Sequence, residues 1–232
     1  MEYAILMASG MGTRMRPLTE TTPKPLIKVW DKPMIETVID GLEKRAIKHI
    51  YVVVGYLGEQ FYYLAEKYQN VTIIRNDVYE TINNISSVFA AKEVLKQGDC
   101  FICEADLLVS DPDLFTCDLH SSCYFGKMVK GHSDDWVFDL DANGIITRVG
   151  KNGDDAYNMT GVAYFRKEDS LKLYDAITQE YGREGYESLF WDDVVNMHIK
   201  EFSLTVHPVT ADQITEIDTV AELEAVRNGV GK

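Results

Sequence analysis

Four short apolar runs, EYAILM (2–7), HIYVVV (49–54), VTIIR (71–75) and CFICEAD (101–106 with Cys100), have the length of buried strands. Between them the apolar positions return every three to four residues. Pro33 opens PMIETVIDGLEKRAI as a helix, GEQFYYLAEKY reads as an amphipathic helix, and Asn84 starts a helix through SSVFAAKEVL, closed by Gly98. Strands that alternate with helices imply right-handed crossovers and a mainly parallel sheet covered on both faces, an α/β fold.

The pattern changes after Leu119. SSCYFGKMV, DWVFDLD, IITRVG and TGVAYF alternate like strands, with ANG at 142–144 as a hairpin turn. Helices follow at about 168–181 and 188–199, then a late strand in SLTVHPV and a closing helix in TVAELEAVRN. No linker rich in Pro, Gly or Ser separates the halves. The expectation is one continuous domain, residues 1–232, with an α/β part at 1–119 and a mixed β lobe at 120–232 acting as lid or platform.

The formal net charge of −14 excludes a phosphate-backbone or anionic-membrane partner, since both require a basic surface. The charge is uneven. Residues 1–50 hold eight Lys/Arg and six Asp/Glu, leaving −16 on the rest. Half of those eight basic residues lie in SGMGTRMRPLTETTPKPLIKV (9–29), where they suit a small anionic ligand. Cys100 and Cys103 have metal-like spacing, but residues three apart on a strand face opposite ways, so buried reduced thiols and a cytoplasmic setting are expected. The N-terminus shows no signal-peptide pattern, and no apolar run reaches the length of a membrane span.

Strand, glycine-rich loop and helix form the layout of a phosphate site at the carboxyl end of a sheet. Two familiar loops fail. Gly12 is followed by Thr13-Arg14 rather than Lys-Ser/Thr, and Met15 stands where a dinucleotide loop needs a third small residue. What remains is Gly10, Gly12, Thr13, Arg14, then Pro17-Leu18-Thr19 and Pro23-Lys24-Pro25. This pattern resembles the signature of nucleotidyltransferases that join a nucleoside triphosphate to a sugar-1-phosphate or alcohol phosphate and release pyrophosphate.

The resemblance implies a Rossmann-like nucleotidyltransferase sheet. It implies that Arg14 contacts the departing pyrophosphate and that Lys24 contacts the α-phosphate. Both reactants are anions, so such charge neutralisation and positioning are what the reaction needs. The nucleotide contacts implied are Ala8, Ser9, Gly10, Gly12, Thr13, Asn83, Asn84 and Ser87. Arg16 and Lys28 are equally suited to solvent. Asp106, at the end of CFICEAD, matches the family's metal-binding aspartate, and Asp218 in ITEIDT matches a second; together they imply Mg²⁺. Asp218 is also placed to cap the closing helix. Lys151 in RVGKNG matches, loosely, a lysine that grips the acceptor phosphate. Gly161 sits where the family has a glycine near the acceptor, or is a turn residue.

One segment departs from the sugar-nucleotide pattern. YETINNISSVFAA replaces the usual glutamine, proline and small-residue pair, and resembles the bacterial phosphocholine cytidylyltransferases. Trp136 and Trp191 each neighbour acids, including Asp192, and indole faces attract quaternary ammonium groups. With Glu216 they form the expected acceptor site, Tyr157, Tyr186 and Phe190 being weaker candidates; the bland alternative for both tryptophans is core packing. The leading expectation is transfer of CMP from CTP to phosphocholine with Mg²⁺. The alternatives are a sugar-1-phosphate enzyme using UTP or dTTP, a CTP enzyme taking phosphoethanolamine or 2-aminoethylphosphonate, and a silent nucleotide sensor. The sequence leaves the oligomeric state open, a homodimer being the one assembly entertained.

Overall fold

The computed structural model describes residues 1–229. Strand β1 (Glu2–Ala8) lies at the centre of a sheet. A two-stranded ribbon, β2 (Lys28–Val29) and β3 (Lys32–Pro33), leads into α1 (Met34–Lys44). Then come β4 (His49–Val54), α2 (Tyr63–Lys67), β5 (Val71–Arg75), α3 (Ile85–Ala90) and β6 (Asp99–Glu104). β1 pairs in parallel with both β4 and β6, and β4 with β5, so this half is the parallel layer the apolar runs imply.

Beyond the short β7 (Leu107–Val109) come β8 (Cys123–Met128), β9 (His132–Leu140), β10 (Ile146–Asp154) and β11 (Tyr157–Phe165). These extend the same sheet rather than forming a separate one: β11 pairs antiparallel with β6, and the order runs β10-β9-β11-β6-β1-β4-β5. The turn at 141–145 is built by Asp141, whose Oδ1 accepts the amides of Asn143 and Ile145 at 2.8 and 2.9 Å. Helices α4 (Lys167–Glu180) and α5 (Trp191–Met197), strands β12 (Thr205–Pro208) and β13 (Ile214–Glu216), and helix α6 (Val220–Arg227) complete the chain.

Two expected helices are shorter than their patterns. Residues 58–67 divide into a 3₁₀ turn, Gly58–Phe61, and the five-residue α2. The helix expected through SSVFAAKEVL ends at Ala90 and continues as a 3₁₀ segment, Lys92–Lys96. Its buried residues Ile85, Val88, Ala91 and Val94 recur every third position, which suits three residues per turn better than 3.6.

The core lies on both faces of the sheet. Cys103 packs with Leu6, Ile39 and Phe101 on one face, and Cys100 packs with Ile5, Val88 and Leu173 on the other. The two thiols thus point away from each other and hold no common metal, as strand alternation requires. A third, smaller apolar cluster joins Met15 and Ile27 of the opening segment to Leu108, Ile217 and Leu223. Burial of these side chains fixes the first loop against the last strand and helix of the fold. Among the described residues no helix is long and apolar enough to cross a membrane.

Candidate functional site

The loop after β1 turns tightly because glycine is required at position 12. Gly12 has φ 59°, and a Cβ there would lie 2.9 Å from Lys24 Cβ and 3.0 Å from Thr19 Cγ2. Thr19 Oγ1 donates to the Gly12 carbonyl at 2.8 Å, and Ser9 Oγ donates to the Val53 carbonyl at 3.1 Å. A cleft of about 310 Å³ opens above this loop, lined by Ala8, Ser9, Gly10, Gly12, Thr13 and Arg14 together with Lys24, Asn84, Ser87, Asp106 and Asp218. The fold therefore gathers most of the expected nucleotide and metal residues in one place.

The acidic end of the cleft is made by strand register. β13 pairs antiparallel with β7 so that Glu216 lies opposite Leu107, the residue after Asp106. Asp218, two residues beyond Glu216, then meets Asp106. Carboxylate oxygens of Asp106, Glu216 and Asp218 lie within 4.8 Å of one another. Lys24 Nζ bridges two of them, at 2.6 Å from Asp106 Oδ2 and 2.6 Å from Asp218 Oδ1, and Arg14 Nη2 donates to Asp218 Oδ1 at 2.7 Å. Burial works against the Lys24 charge, but the pull of Asp106 and Asp218 outweighs it and raises its pKa above that of an ordinary lysine. Asp218 does not cap α6. Thr219 does, in a capping box with Glu222, whose carboxylate accepts the amides of Asp218 and Thr219 at 2.8 Å. The Asp218 side chain is left to face Lys24 and Arg14.

Glu216 is open to solvent on one side, but desolvation by the cleft wall and then the charges of Asp106 and Asp218 push its carboxyl above the usual range. Glu104, between this cleft and the next, is held well above the usual carboxylate range by burial, then by Glu216 and Asp106. Three mutually repelling hard oxygen donors at one point suit a small divalent cation, which would relieve that repulsion. Residues and chemistry thus fit the divalent metal that nucleotidyltransferases generally use.

A second cavity of about 250 Å³ adjoins the first. Its walls include Arg14, Glu104, Asp134, Asp135, Trp136, Lys151, Gly161, Phe190 and Glu216. Lys151 stands opposite Trp136 across the β9–β10 pair. Its ammonium lies 5.8 Å from the Trp136 ring and 5.9 Å from the Phe190 ring, and those rings meet edge to face at 5.5 Å. Gly161 is more than a turn residue: φ is 78°, and a Cβ would lie 3.0 Å from Glu104 Oε2.

Trp191 is a correction to the expected aromatic box. It is 3% exposed, stacks on Tyr124 with centroids 5.7 Å apart, and packs edge-on to Phe165, so it belongs to the core. Its neighbour Asp192 is equally buried and accepts the Tyr124 hydroxyl at 3.0 Å; burial pushes its pKa up to about 7. Neither lines the second cavity, where Phe190 is the aromatic partner of Trp136. The weaker candidates Tyr157 and Tyr186 do not line it either; Tyr186 packs on Tyr181.

Asn84 lines the cleft, whereas Asn83, expected beside it, does not; both have structural partners. Asn83 Nδ2 donates to the Ser188 carbonyl at 3.2 Å, and Asn84 Oδ1 accepts the Trp191 amide at 2.9 Å, tying α3 to the start of α5. With Ser9, Ser86, Ser87, Tyr79 and Asn76 they line a third hollow of about 110 Å³ beside the first cleft. Asn76 and Tyr79 were not anticipated, nor was the place of Glu104 between the two cavities. Asn76 follows β5 directly and Glu104 ends β6, so the carboxyl ends of strands in an open α/β sheet were the available signal.

The family described as nucleotidyl transferase matches residues 3–123. A 2-aminoethylphosphonate cytidylyltransferase of Lancefieldella rimae is 54% identical over 97% of this chain and 92% of its own length. A choline-phosphate cytidylyltransferase of Streptococcus pneumoniae is 33% identical over 94% of each chain. The solved structure of CTP:phosphocholine cytidylyltransferase from Streptococcus pneumoniae superposes with a TM-score of 0.90 at 32% identity, over 99% of both chains. A Bacillus anthracis structure at 19% identity and TM-score 0.81 shows the same fold.

Proposed function

The chain belongs to the nucleotidyl transferase family, and from that premise we propose that it is a cytidylyltransferase that transfers CMP from CTP to 2-aminoethylphosphonate and releases pyrophosphate. The α/β part supplies most of the nucleotide cleft, closed by Glu216 and Asp218 at the end of the late strand, and the β lobe supplies most of the acceptor cavity, completed by Arg14 and Glu104.

In this reading a phosphonate oxygen of the acceptor attacks the α-phosphorus of CTP. A new P–O bond forms as the bond from the α-phosphorus to the bridging oxygen breaks, and that oxygen leaves with pyrophosphate. Arg14 receives the pyrophosphate, Lys24 the α-phosphate and Lys151 the acceptor phosphonate, so each anion meets a cation before the oxygens approach. Ser9, Gly10, Gly12 and Thr13 offer the loop around the triphosphate. Asp106 and Asp218, with Glu216 beside them, would hold Mg²⁺, which supplies charge neutralisation for the phosphates.

The acceptor assignment is carried by the second cavity. With Trp191 in the core, the aromatic surface is Trp136 and Phe190, and five carboxylates (Glu104, Asp134, Asp135, Glu216 and Asp218) line the same cavity. A primary ammonium has three N–H donors and needs such acceptors. A trimethylammonium has none and depends on aromatic faces. The 54%-identical relative supports the same acceptor. A second reading, phosphocholine, is favoured by the exposed Trp136 face and by the Streptococcus pneumoniae relative. The buried free thiols Cys100, Cys103 and Cys123 support a reducing, cytoplasmic setting.

The test is a pyrophosphate-release assay with CTP, UTP and dTTP against 2-aminoethylphosphonate, phosphoethanolamine, phosphocholine and glucose-1-phosphate. Turnover should be greatest with CTP and 2-aminoethylphosphonate. Preference for phosphocholine would replace the acceptor, preference for glucose-1-phosphate would overturn the whole assignment, and no turnover with any pair would favour the silent sensor.

A further inference from the structure

The third hollow contains a chain of buried polar side chains whose hydrogen bonds run in one direction. Asn76 is 2% exposed, and its Oδ1 accepts the Val78 amide at 3.2 Å. That bond fixes the amide orientation, because the nitrogen would otherwise oppose a donor. Asn76 Nδ2 therefore donates, to Ser86 Oγ at 2.8 Å and to Ser87 Oγ at 3.3 Å. Ser86 passes its own proton to the Asn83 carbonyl at 2.8 Å. Ser87 passes its proton to Ser9 Oγ at 3.3 Å, and Ser9 passes its proton to the Val53 carbonyl at 3.1 Å, which as a carbonyl can only accept.

The consequence falls on Ser87, which lines both the main cleft and the hollow. A hydroxyl has one proton and two lone pairs. Here the proton is committed to Ser9 and one lone pair to Asn76, so what remains for a ligand is a lone pair. Cytosine and uracil differ at the exocyclic position of C4: cytosine carries an N–H donor there, uracil an oxygen acceptor. A fixed acceptor welcomes the first and repels the second.

Resting on the cytidylyltransferase reading, we infer that Asn76 is a positioning residue that holds Ser87 as a hydrogen-bond acceptor, so that the pocket selects a 4-aminopyrimidine over a 4-oxopyrimidine. The selectivity comes less from contacts that favour cytosine than from an unpaired acceptor set against uracil.

Binding of CTP and of UTP is measured by calorimetry with Mg²⁺ and no acceptor, on the wild type, Ser87→Ala, Asn76→Ala and Asn76→Asp, each checked by its melting curve. Wild type prefers CTP. Ser87→Ala reduces the CTP:UTP affinity ratio by about tenfold, one acceptor–acceptor conflict being worth that much. Asn76→Ala frees the Ser87 hydroxyl to rotate and present its proton, and reduces the ratio to a similar degree. Asn76→Asp keeps the ratio while weakening both nucleotides, because its carboxylate takes the Ser87 proton and leaves the lone pairs forward. Should Asn76→Ala not fold, the contrast between Ser87→Ala and Asn76→Asp decides the matter. A wild-type ratio in Ser87→Ala, or loss of the ratio in Asn76→Asp, overturns the inference alone. A wild type indifferent between CTP and UTP overturns the cytidylyltransferase reading with it.

Discussion

The Nζ atom of Lys24 lies 2.6 Å from Oδ1 of Asp218, 194 residues further along the chain. The same atom is 2.6 Å from Asp106, so one buried ammonium bridges two carboxylates of the trio with Glu216 and offsets part of their charge. By bridging Asp106 and Asp218, Lys24 does part of what a divalent cation would do there. Removing it leaves the acids facing one another, and an uncompensated enclosed charge costs about 3–5 kcal/mol at most, less here because the aspartates are one-fifth exposed. Lys24→Met should therefore lower the melting temperature in chelator and gain more from added MgCl₂ than wild type does. Scanning fluorimetry with and without Mg²⁺ reads both. Equal Mg²⁺ shifts in the two proteins would mean that lysine and cation do not share a site. Pyrophosphate release should fall by roughly a hundredfold or more, since a preset cation beside the reacting phosphate is lost.

Trp136 and Trp191 should separate cleanly. Trp136 is half-buried on the wall of the second cavity, so Trp136→Ala should raise the acceptor KM by roughly two- to thirtyfold, the range of one cation–π contact, with CTP KM little changed. Trp191 is packed between Tyr124 and Phe165, so Trp191→Ala should cost about 3–5 kcal/mol of stability and depress both substrates together. Steady-state kinetics in each substrate, beside a denaturation curve, tells the outcomes apart. An acceptor-selective effect from Trp191→Ala would return that residue to the aromatic box.

The alternation of apolar runs and helical stretches was enough to give the parallel layer, because buried parallel strands are continuous in sequence. The loop from Gly10 to Pro25 was legible for a similar reason: its glycines, prolines and basic residues are local. The failures are non-local. Trp191 and Trp136 carry the same acidic neighbours in sequence. Only the placement of Tyr124 and Phe165, from other strands, sends one indole into the core. Asp218 was read first as a metal ligand and second as a helix cap, and the cap belongs to Thr219. Asn76 gave no signal beyond its place after a strand, since its role depends on hydroxyls ten and eleven residues away.

Gly161 combines two constraints that alanine meets badly. Its φ of 78° disfavours any side chain, and a Cβ would press within 3.0 Å of Glu104 Oε2. Gly161→Ala should cost about 1–3 kcal/mol through backbone strain and displace the Glu104 carboxylate toward the second cavity. The expected signature is a raised acceptor KM, a modest change in kcat and CTP KM near wild type. An unchanged acceptor KM in a folded variant would show that Glu104 does not bear on acceptor binding.

Asp192 should give the protein a measurable slope of stability with pH. Its carboxyl is buried beneath Tyr124, and burial lifts its pKa from an ordinary 3.8 to about 7. Below about pH 4 the folded and unfolded chains both carry the proton, so the group contributes its full stability there. Between about 4 and 7 the unfolded chain releases the proton while the folded chain retains it, and stability falls as pH rises, by at most about 1.4 kcal/mol per pH unit. Above about 7 both states are ionised and the penalty is constant. Asp192→Asn keeps an oxygen to accept the Tyr124 hydroxyl and removes the titration. The variant's stability relative to wild type should therefore increase steadily from pH 4 to pH 7 and level off beyond it. Urea denaturation at pH 4.5, 5.5, 6.5 and 8 measures the difference. Curves that stay parallel across that range would mean that Asp192 is ionised in the folded protein throughout, with Tyr124 and the surrounding backbone stabilising its charge.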